Sequence, residues 1–366
     1  MYNIKKEFIP LDQPIFNGNE SKYLTECVKT GWISWQGKFV KGFEDKFSNY
    51  VSQKYAASTS NGTSALIIAL QALGLKNNDE VIVPSLTFSA SVFSITMAGA
   101  KAVFADSIKG KLDVDPSDIE KKVTKKTKAI MVVHLYGRPA KMDEIVKIAK
   151  KYNLYIVEDC AECLGATFNK KKTGSFGHIS CFSFHNKLIA TGEGGMITTN
   201  DKKLYKKVLD LKNPAPDNRS NKKIISLNSR MSNVNAALGL AQLEQLEKFI
   251  KKKREIVSMY EDLLINVKGI SLIKEEKNIR STYWRYSILI NKEFPISRDK
   301  LISKLKEKKI IARGIFTPMH LHPIYKNKKK QCPEAINITK LGLDIPSSVA
   351  LDSRDIKYTV KAIASI

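Results

Sequence analysis

No apolar run approaches the roughly twenty residues needed to span a bilayer, and the opening Met1 to Phe8 lacks the apolar core of a signal peptide. Together these absences predict a cytoplasmic protein with no membrane insertion. Cysteine is scarce: Cys27, Cys160, Cys163, Cys181 and Cys332 are odd in number and lack disulfide-framework spacing, which suits a reducing compartment. Neither histidine nor cysteine clusters at metal-ligand spacing, so no metal is expected. Arginine, the better reader of bases and phosphates, is sparse, although the net charge is +25. The excess is lysine, in short scattered groups such as Lys170–Lys172, Lys251–Lys253 and Lys328–Lys330. No aromatic-interleaved basic stripe accompanies them, which argues against a nucleic-acid partner. The charge reads as a compositional bias that would still attract a diphosphate-bearing substrate.

What is present is an enzyme-sized chain of 366 residues, past the length at which one core stops growing. From Tyr55 the pattern alternates strand and helix. Tyr55–Thr59, Glu80–Val83, Ala102–Ala105, Lys128–His134 and Leu154–Glu158 read as strands, with helical stretches such as Met142–Lys151 between. This predicts an α/β fold, a mostly parallel sheet covered by helices, over residues 1–250. Ser232 to about Leu264 reads as one long helix linking the lobes. Beyond it, strands at Tyr283–Ile290 and Ile310–Ala312 and a helix at Arg298–Lys306 predict a smaller α+β domain over 251–366, on which the N-terminal segment is a candidate to pack.

The chain is organised around Cys181–Gly195, C-F-S-F-H-N-K-L-I-A-T-G-E-G-G. Lys187 stands between apolar runs, where desolvation lowers an ammonium's pKa. A poised amine is what a Schiff base with a carbonyl cofactor requires; an exposed loop lysine is the competing reading. In S-N-G-T-S (Ser60–Ser64) a strand passes through Gly62 into a helix, whose free N–H groups, with the hydroxyls of Thr63 and Ser64, make an anion site. Asp159 and Glu162 follow the Leu154–Glu158 strand, at the sheet edge where α/β folds bind ligands. A carboxylate there holds a cationic ring nitrogen protonated, worth roughly 1–3 pKa units. Phe88 is open to two readings, a ring stacked on a flat ligand or a core residue. His134 reads as a hydrogen-bonded structural histidine, and Cys160 and Cys163 as small buried residues rather than a redox pair. The list matches the requirements of pyridoxal 5′-phosphate (PLP).

These stretches resemble the DegT/DnrJ/StrS-type sugar aminotransferases of PLP fold type I, from about residue 10 to the end. Resemblance is carried by G-W-I-S-W-Q-G-K-F-V, S-N-G-T-S-A-L, V-I-V-P-S-L-T-F-S-A, V-H-L-Y-G-R-P-A-K-M, V-E-D-C-A-E, C-F-S-F, T-G-E-G-G-M, N-S-R-M-S-N-V-N and T-P-M-H-L-H-P. It implies Lys187 as the Schiff-base lysine, Asp159 as partner of the pyridine nitrogen, Glu162 beside the ring hydroxyl and Phe88 as the stacking ring. Gly62, Thr63, Ser64 and Ser183 would hold the phosphate, and Asn228 the phosphate of a second subunit, hence a homodimer with shared sites. Trp32, Arg313 and His320 are expected on the substrate side. The implied reaction aminates a 4-keto-6-deoxy nucleotide sugar, with GDP-4-keto-6-deoxymannose the best match, from glutamate. Departures are the three residues between Ser183 and Lys187, where the family has four, the segment Asn213–Ile224, and Ser226 in place of a glycine. A sugar dehydratase on the same scaffold, which typically replaces the lysine by histidine, and a non-catalytic regulatory or nucleic-acid-binding protein are the competing functions.

Overall fold

The computed structural model describes residues 8–214, 225–325 and 331–366. Most of the divergent segment Asn213–Ile224, and Lys328–Lys330, lie outside the described residues. Helices α1 (Glu20–Thr30) and α2 (Lys38–Tyr50) lead into β1 (Tyr55–Thr59). Then α3 (Gly62–Ala72), β2 (Glu80–Pro84), α4 (Ser89–Met97), β3 (Lys101–Ala105), α5 (Pro116–Lys121), β4 (Thr127–Val133), α6 (Met142–Lys151) and β5 (Tyr155–Asp159) alternate, all but the short α5 as the periodicity predicts. A short hairpin, β6 (Thr167–Phe168) and β7 (Lys171–Lys172), precedes β8 (Ile179–Ser183), β9 (Gly195–Thr199) and α7 (Lys202–Lys212).

Seven strands form one sheet in the order β1-β9-β8-β5-β4-β2-β3, parallel except that β9 runs antiparallel to both neighbours. The continuous apolar runs of β2, β4 and β5 arise because both faces are covered. Val81, Val83, Ala129, Met131 and Val157 join one core, whereas the alternate residues Ile82, Ile130, Val132 and Ile156 join another. A third core gathers around α2, whose Phe43 and Phe47 recur at helical spacing. Phe47 meets Phe182 at 4.8 Å between ring centroids, and Phe43 meets Phe184 at 5.2 Å, so the two phenylalanines flanking Ser183 are locked from below. A Cβ on Gly239 would stand 2.6 Å from the Phe43 ring, so only glycine lets α2 pack this closely.

The expected single helix from Ser232 is two: α8 (Asn233–Leu243) and α9 (Leu246–Leu264). The break at Glu244–Gln245 has a tertiary cause. Asn19, Tyr23 and Lys46 all bond the Glu244 carboxylate, and the Gln245 amide bonds Glu20. Helix α9 then crosses two cores. Leu246, Phe249 and Ile250 pack with α2 and the Phe182–Phe184 stretch, whereas Ile256, Val257, Tyr260 and Leu264 pack on the second sheet. Lys253 lies between the two groups and is itself buried, 2% exposed.

That second sheet is antiparallel, in the order β10-β12-β14-β13, built from β10 (Ile270–Leu272), β12 (Tyr286–Ile290), β13 (Arg313–Gly314) and β14 (Gly342–Ile345). Helices α10 (Arg298–Glu307), α11 (Pro333–Leu341) and α12 (Ser353–Ala364) complete this half, while β11 (Ile279–Arg280) pairs with β6. Two expected strands are displaced. Tyr283 adopts the left-handed conformation (φ 48°), so the strand expected from Tyr283 starts at Tyr286 and leaves Trp284 and Arg285 in a turn. Ile310, expected inside a strand, makes an isolated parallel bridge to Ile9 of the N-terminal segment, and β13 begins at Arg313.

Candidate active site

At the carboxyl ends of β5 and β8 lies a cavity of about 840 Å³. Its floor at one end is the start of α3. The Asn61 side chain accepts from the Ser64 amide at 2.8 Å and caps the helix, while Gly62, Thr63 and Ser64 face the cavity. A Cβ on Gly62 would stand 2.6 Å from Cβ of Ser183. Glycine therefore lets the end of β8 approach the helix terminus, bringing the Ser183 hydroxyl beside the anion site.

Asp159 closes β5 and is 4% exposed. Its Oδ2 accepts from Ser91 Oγ at 2.7 Å and its Oδ1 from the Ala161 amide at 3.1 Å. Ser91 in turn bonds Thr87 Oγ1 at 2.8 Å. Burial pushes the Asp159 carboxyl up, against the lowering pull of Ser91 and Ala161. These direct partners are neutral, which leaves the carboxylate in want of a cation.

Lys187 Nζ points into the same cavity, 3.8 Å from Glu162 Oε1 and 3.3 Å from the centroid of the Trp284 ring. Burial lowers its pKa; Glu162 opposes that, and the Arg285 charge adds to it. Burial pushes Glu162 up to about 7, with Lys187 and the Tyr136 amide, which donates to Oε2 at 2.8 Å, pulling down. Phe88 is 55% exposed and forms part of the wall opposite, so of its two readings the core one fails. Arg313 stands at the same wall.

Three expected residues lie elsewhere in the single chain. Trp32 is 56% exposed, in the turn after α1. Asn228 is exposed and accepts from Arg230 Nε at 2.9 Å. His320 is buried, with Nδ1 2.5 Å from Ser85 Oγ, and does not line the cavity.

A model of the DegT/DnrJ/EryC1/StrS aminotransferase family matches residues 14–364. The chain belongs to this family. It is 43% identical over 360 residues to the GDP-perosamine synthase of Escherichia coli O157:H7, covering 98% of each chain. It is 39% identical to the GDP-perosamine synthase of Vibrio cholerae, covering 97% of this chain and 98% of that one. The X-ray structure of an aminotransferase from Psychrobacter cryohalolentis superposes with a TM-score of 0.91 at 30% identity, covering 98% of both chains.

As a member of the family, the chain is a PLP-dependent aminotransferase with the α/β type I fold. The cavity fits the cofactor on the chain's own features. It offers an anion site kept open by Gly62, a buried carboxylate whose hydrogen-bond partners are neutral, a mostly buried amine and an exposed aromatic wall. Sequence reasoning missed Ser91 and Thr87 behind Asp159, and Trp284, Arg285, Tyr136 and Asp12 around Lys187. Asn61 had left a signal, since an Asn before a helix-opening Gly is an N-cap pattern.

His134, Cys160 and Cys163 bring their nitrogen and sulfur atoms within 4.8 Å of one another, a grouping that spacing along the chain did not suggest. The imidazole is fully engaged: the Ala140 amide donates to Nδ1 at 3.1 Å, and Nε2 lies 3.0 Å from Glu158 Oε2. With no nitrogen lone pair left over, this cluster is a buried polar network rather than a ligand set.

Glu162 sets a pH dependence. Below about 7 it is neutral; as pH rises through that value it ionises beside Lys187 and favours the ammonium. Glu162→Gln keeps an oxygen to accept from the Tyr136 amide but cannot ionise. The expected result is a pH profile of kcat/KM that loses its step near 7. Native Glu162 also holds its proton above the ordinary 4.5, so stability falls as pH rises from there to about 7. The glutamine variant is therefore expected to melt higher than the parent above neutral pH, checked by thermal denaturation.

Proposed function

We propose that this enzyme transfers the amino group of glutamate to C4 of a GDP-linked 4-keto-6-deoxy sugar, with GDP-4-keto-6-deoxymannose the best candidate, as a step in surface-glycan synthesis in the cytoplasm. The observation that carries the reading is the meeting of Lys187, Asp159, Glu162 and the start of α3 in one cavity of about 840 Å³. The nucleotide sugar is inferred from full-length similarity to the two GDP-perosamine synthases.

When bound, PLP supplies the aldehyde that receives an amino group and the ring that draws electrons from the substrate carbon. Gly62, Thr63, Ser64 and Ser183 would hold its phosphate, and Phe88, exposed on the cavity wall, would stack on its ring. Asp159 keeps the ring nitrogen protonated, oriented from behind by Ser91 and Thr87. Lys187 is the amine that would hold the cofactor and move a proton at the reacting carbon; burial lowers its pKa and keeps a neutral fraction available. Glu162, 3.8 Å from Lys187 Nζ, would face the ring hydroxyl and tune the charge of Lys187. Arg313, which lines the cavity, would supply a positive charge suited to a diphosphate.

In this reading the segment carrying Asn228 reaches the phosphate of a second copy, so the enzyme works as a homodimer and a fully active monomer would overturn that part. Trp32, exposed after α1, remains proposed for the substrate side only through such a second chain, whereas His320, buried against Ser85, is withdrawn from it. The two halves meet near residue 250, where α9 passes from one core to the next. The presence of Lys187 weighs against a dehydratase.

Incubation with a panel of 4-keto nucleotide sugars and glutamate, read by mass spectrometry, tests the reading. The expected product is a 4-amino sugar formed fastest from the GDP-linked substrate. Preference for a uridine- or thymidine-linked sugar would overturn the nucleotide assignment, and loss of water without amine gain would overturn the reaction.

A further inference from the structure

Trp284, Arg285 and Asp12 line this cavity, and Lys253 lies behind them. Trp284, 4% exposed, presents its ring to Lys187 Nζ at 3.3 Å and carries the Arg285 guanidinium at 4.4 Å. Its indole N–H donates to Asp12 Oδ2 at 3.0 Å and to the Asn186 carbonyl at 3.3 Å. Asp12 Oδ1 lies 3.6 Å from Lys253 Nζ, and Lys253 Nζ donates to the Trp284 carbonyl at 2.8 Å. The three residues thus close a ring of contacts in which every member is tied to both others.

The members come from distant parts of the chain. Asp12 belongs to an N-terminal strap fixed on both sides: Ile9 bridges Ile310, the Leu11 carbonyl accepts from the Ser347 amide, and the Gln13 backbone bonds Ser348 Oγ. Lys253 sits on α9 where its two cores meet. Trp284 follows the left-handed Tyr283. A buried ion pair is weak support for stability, since an apolar pair of equal volume often does as well. Its position, one residue away from the reactive amine, calls for another account.

We propose that Asp12 is a positioning residue for Lys187 that acts through the Trp284 indole, with Lys253 pinning the carboxylate in place. An indole whose N–H donates to a carboxylate has a more electron-rich face, and that face attracts the Lys187 ammonium. The arrangement sets both where the amine stands and how readily it gives up its proton. Burial lowers Lys253 while Asp12 opposes that, in keeping with a charge held by one partner. Among the charges acting on Lys187, Asp12 ranks behind Glu162, Arg285 and Asp159, so its direct field is the weakest of the four.

The inference rests on the reading of Lys187 as the cofactor-binding lysine, but its test does not need the cofactor. In cofactor-free protein, the acylation rate of Lys187 by a small acetylating reagent, followed by peptide mass spectrometry at one fixed pH, reports the neutral amine. Asp12→Asn keeps an acceptor for the indole but removes its charge. The expected rate rises about two- to fivefold, the size of a weakened cation–π contact. In a Trp284→Phe background, which has no N–H for Asp12 to hold, the same change is expected to leave the rate nearly unaltered. Lys253→Met, which keeps the volume and frees Asp12 to turn away from the indole, is expected to behave as Asp12→Asn does in both backgrounds. An unchanged rate with Trp284 present overturns the proposal, and so does an equal rise in both backgrounds, which would mean Asp12 acts by its field alone. Borohydride fixing the cofactor to another lysine would instead sink the reading of Lys187 while leaving the acylation result interpretable.

Discussion

Lys187→Ala is expected to lower amino transfer by about 10²–10⁴-fold or more, the range for losing a positioned proton-transfer group, with the covalent hold on the cofactor lost as well. The variant should still bind PLP non-covalently. The start of α3, Ser183, Asp159 and Phe88 are untouched by the change, and the aromatic packing of Phe182 and Phe184 against α2 keeps β8 in place. Folding should not suffer. In the native chain burial lowers the Lys187 pKa, so near neutral pH the ammonium is less stable folded than unfolded. Stability tied to this group therefore rises with pH through the lowered value, and its removal relieves a cost at pH 7. The measurements are initial rates, cofactor content after dialysis, and borohydride treatment followed by peptide mapping. Near-normal turnover would show that another lysine carries the chemistry.

How far the sequence alone reached can be traced residue by residue. Strand β1 and helix α6 have the bounds read from the sequence, α6 because Met142, Ile145, Ile148 and Ala149 bury one regular face and β1 because its small residues Ala56–Thr59 are buried throughout. The continuous apolar runs of β4 and β5 were legible as central parallel strands because both of their faces are covered. The two-helix break at Glu244–Gln245 was not legible. Its sequence contains no glycine or proline, and the cause is the bonding of Glu244 and Gln245 to residues around α1, more than 200 positions away. Likewise, nothing near Ile310 announces a partner at Ile9.

Within the site, the residues read from the sequence are those whose chemistry is local: a helix opening on glycine, a strand ending in aspartate, a lysine between apolar runs. What escaped is the layer behind them. Ser91 and Thr87 are ordinary residues of a helix start until the fold sets them against Asp159. Trp284 gains its meaning only through a turn at Tyr283 that no propensity scale favours. A buried lysine inside a basic run, Lys253, looks like its more exposed neighbours until α9 is placed between two cores.

Asp159→Asn is expected to retain fold and cofactor but lose about 10- to 1000-fold in turnover, the value of a close charge to a ring nitrogen at roughly 1–3 pKa units. The geometry permits so clean a substitution. The Asn carbonyl can accept from the Ala161 amide as Oδ1 does now, and its NH₂ can donate to Ser91 Oγ once that hydroxyl turns its own hydrogen to Thr87. No buried polar atom is then stranded, and the carboxyl that burial already pushes up is replaced by a neutral group of equal shape. Stability should hold or rise slightly, so a loss of activity reports the missing charge and not a collapsed site. What the amide cannot do is hold a cationic nitrogen opposite it, and the ring then draws electrons less strongly from the substrate carbon. The chemical step should slow far more than glutamate binding weakens, so kcat falls while KM moves little. A rate within a few-fold of the parent, with melting temperature and cofactor content unchanged, would remove Asp159 from its assigned role.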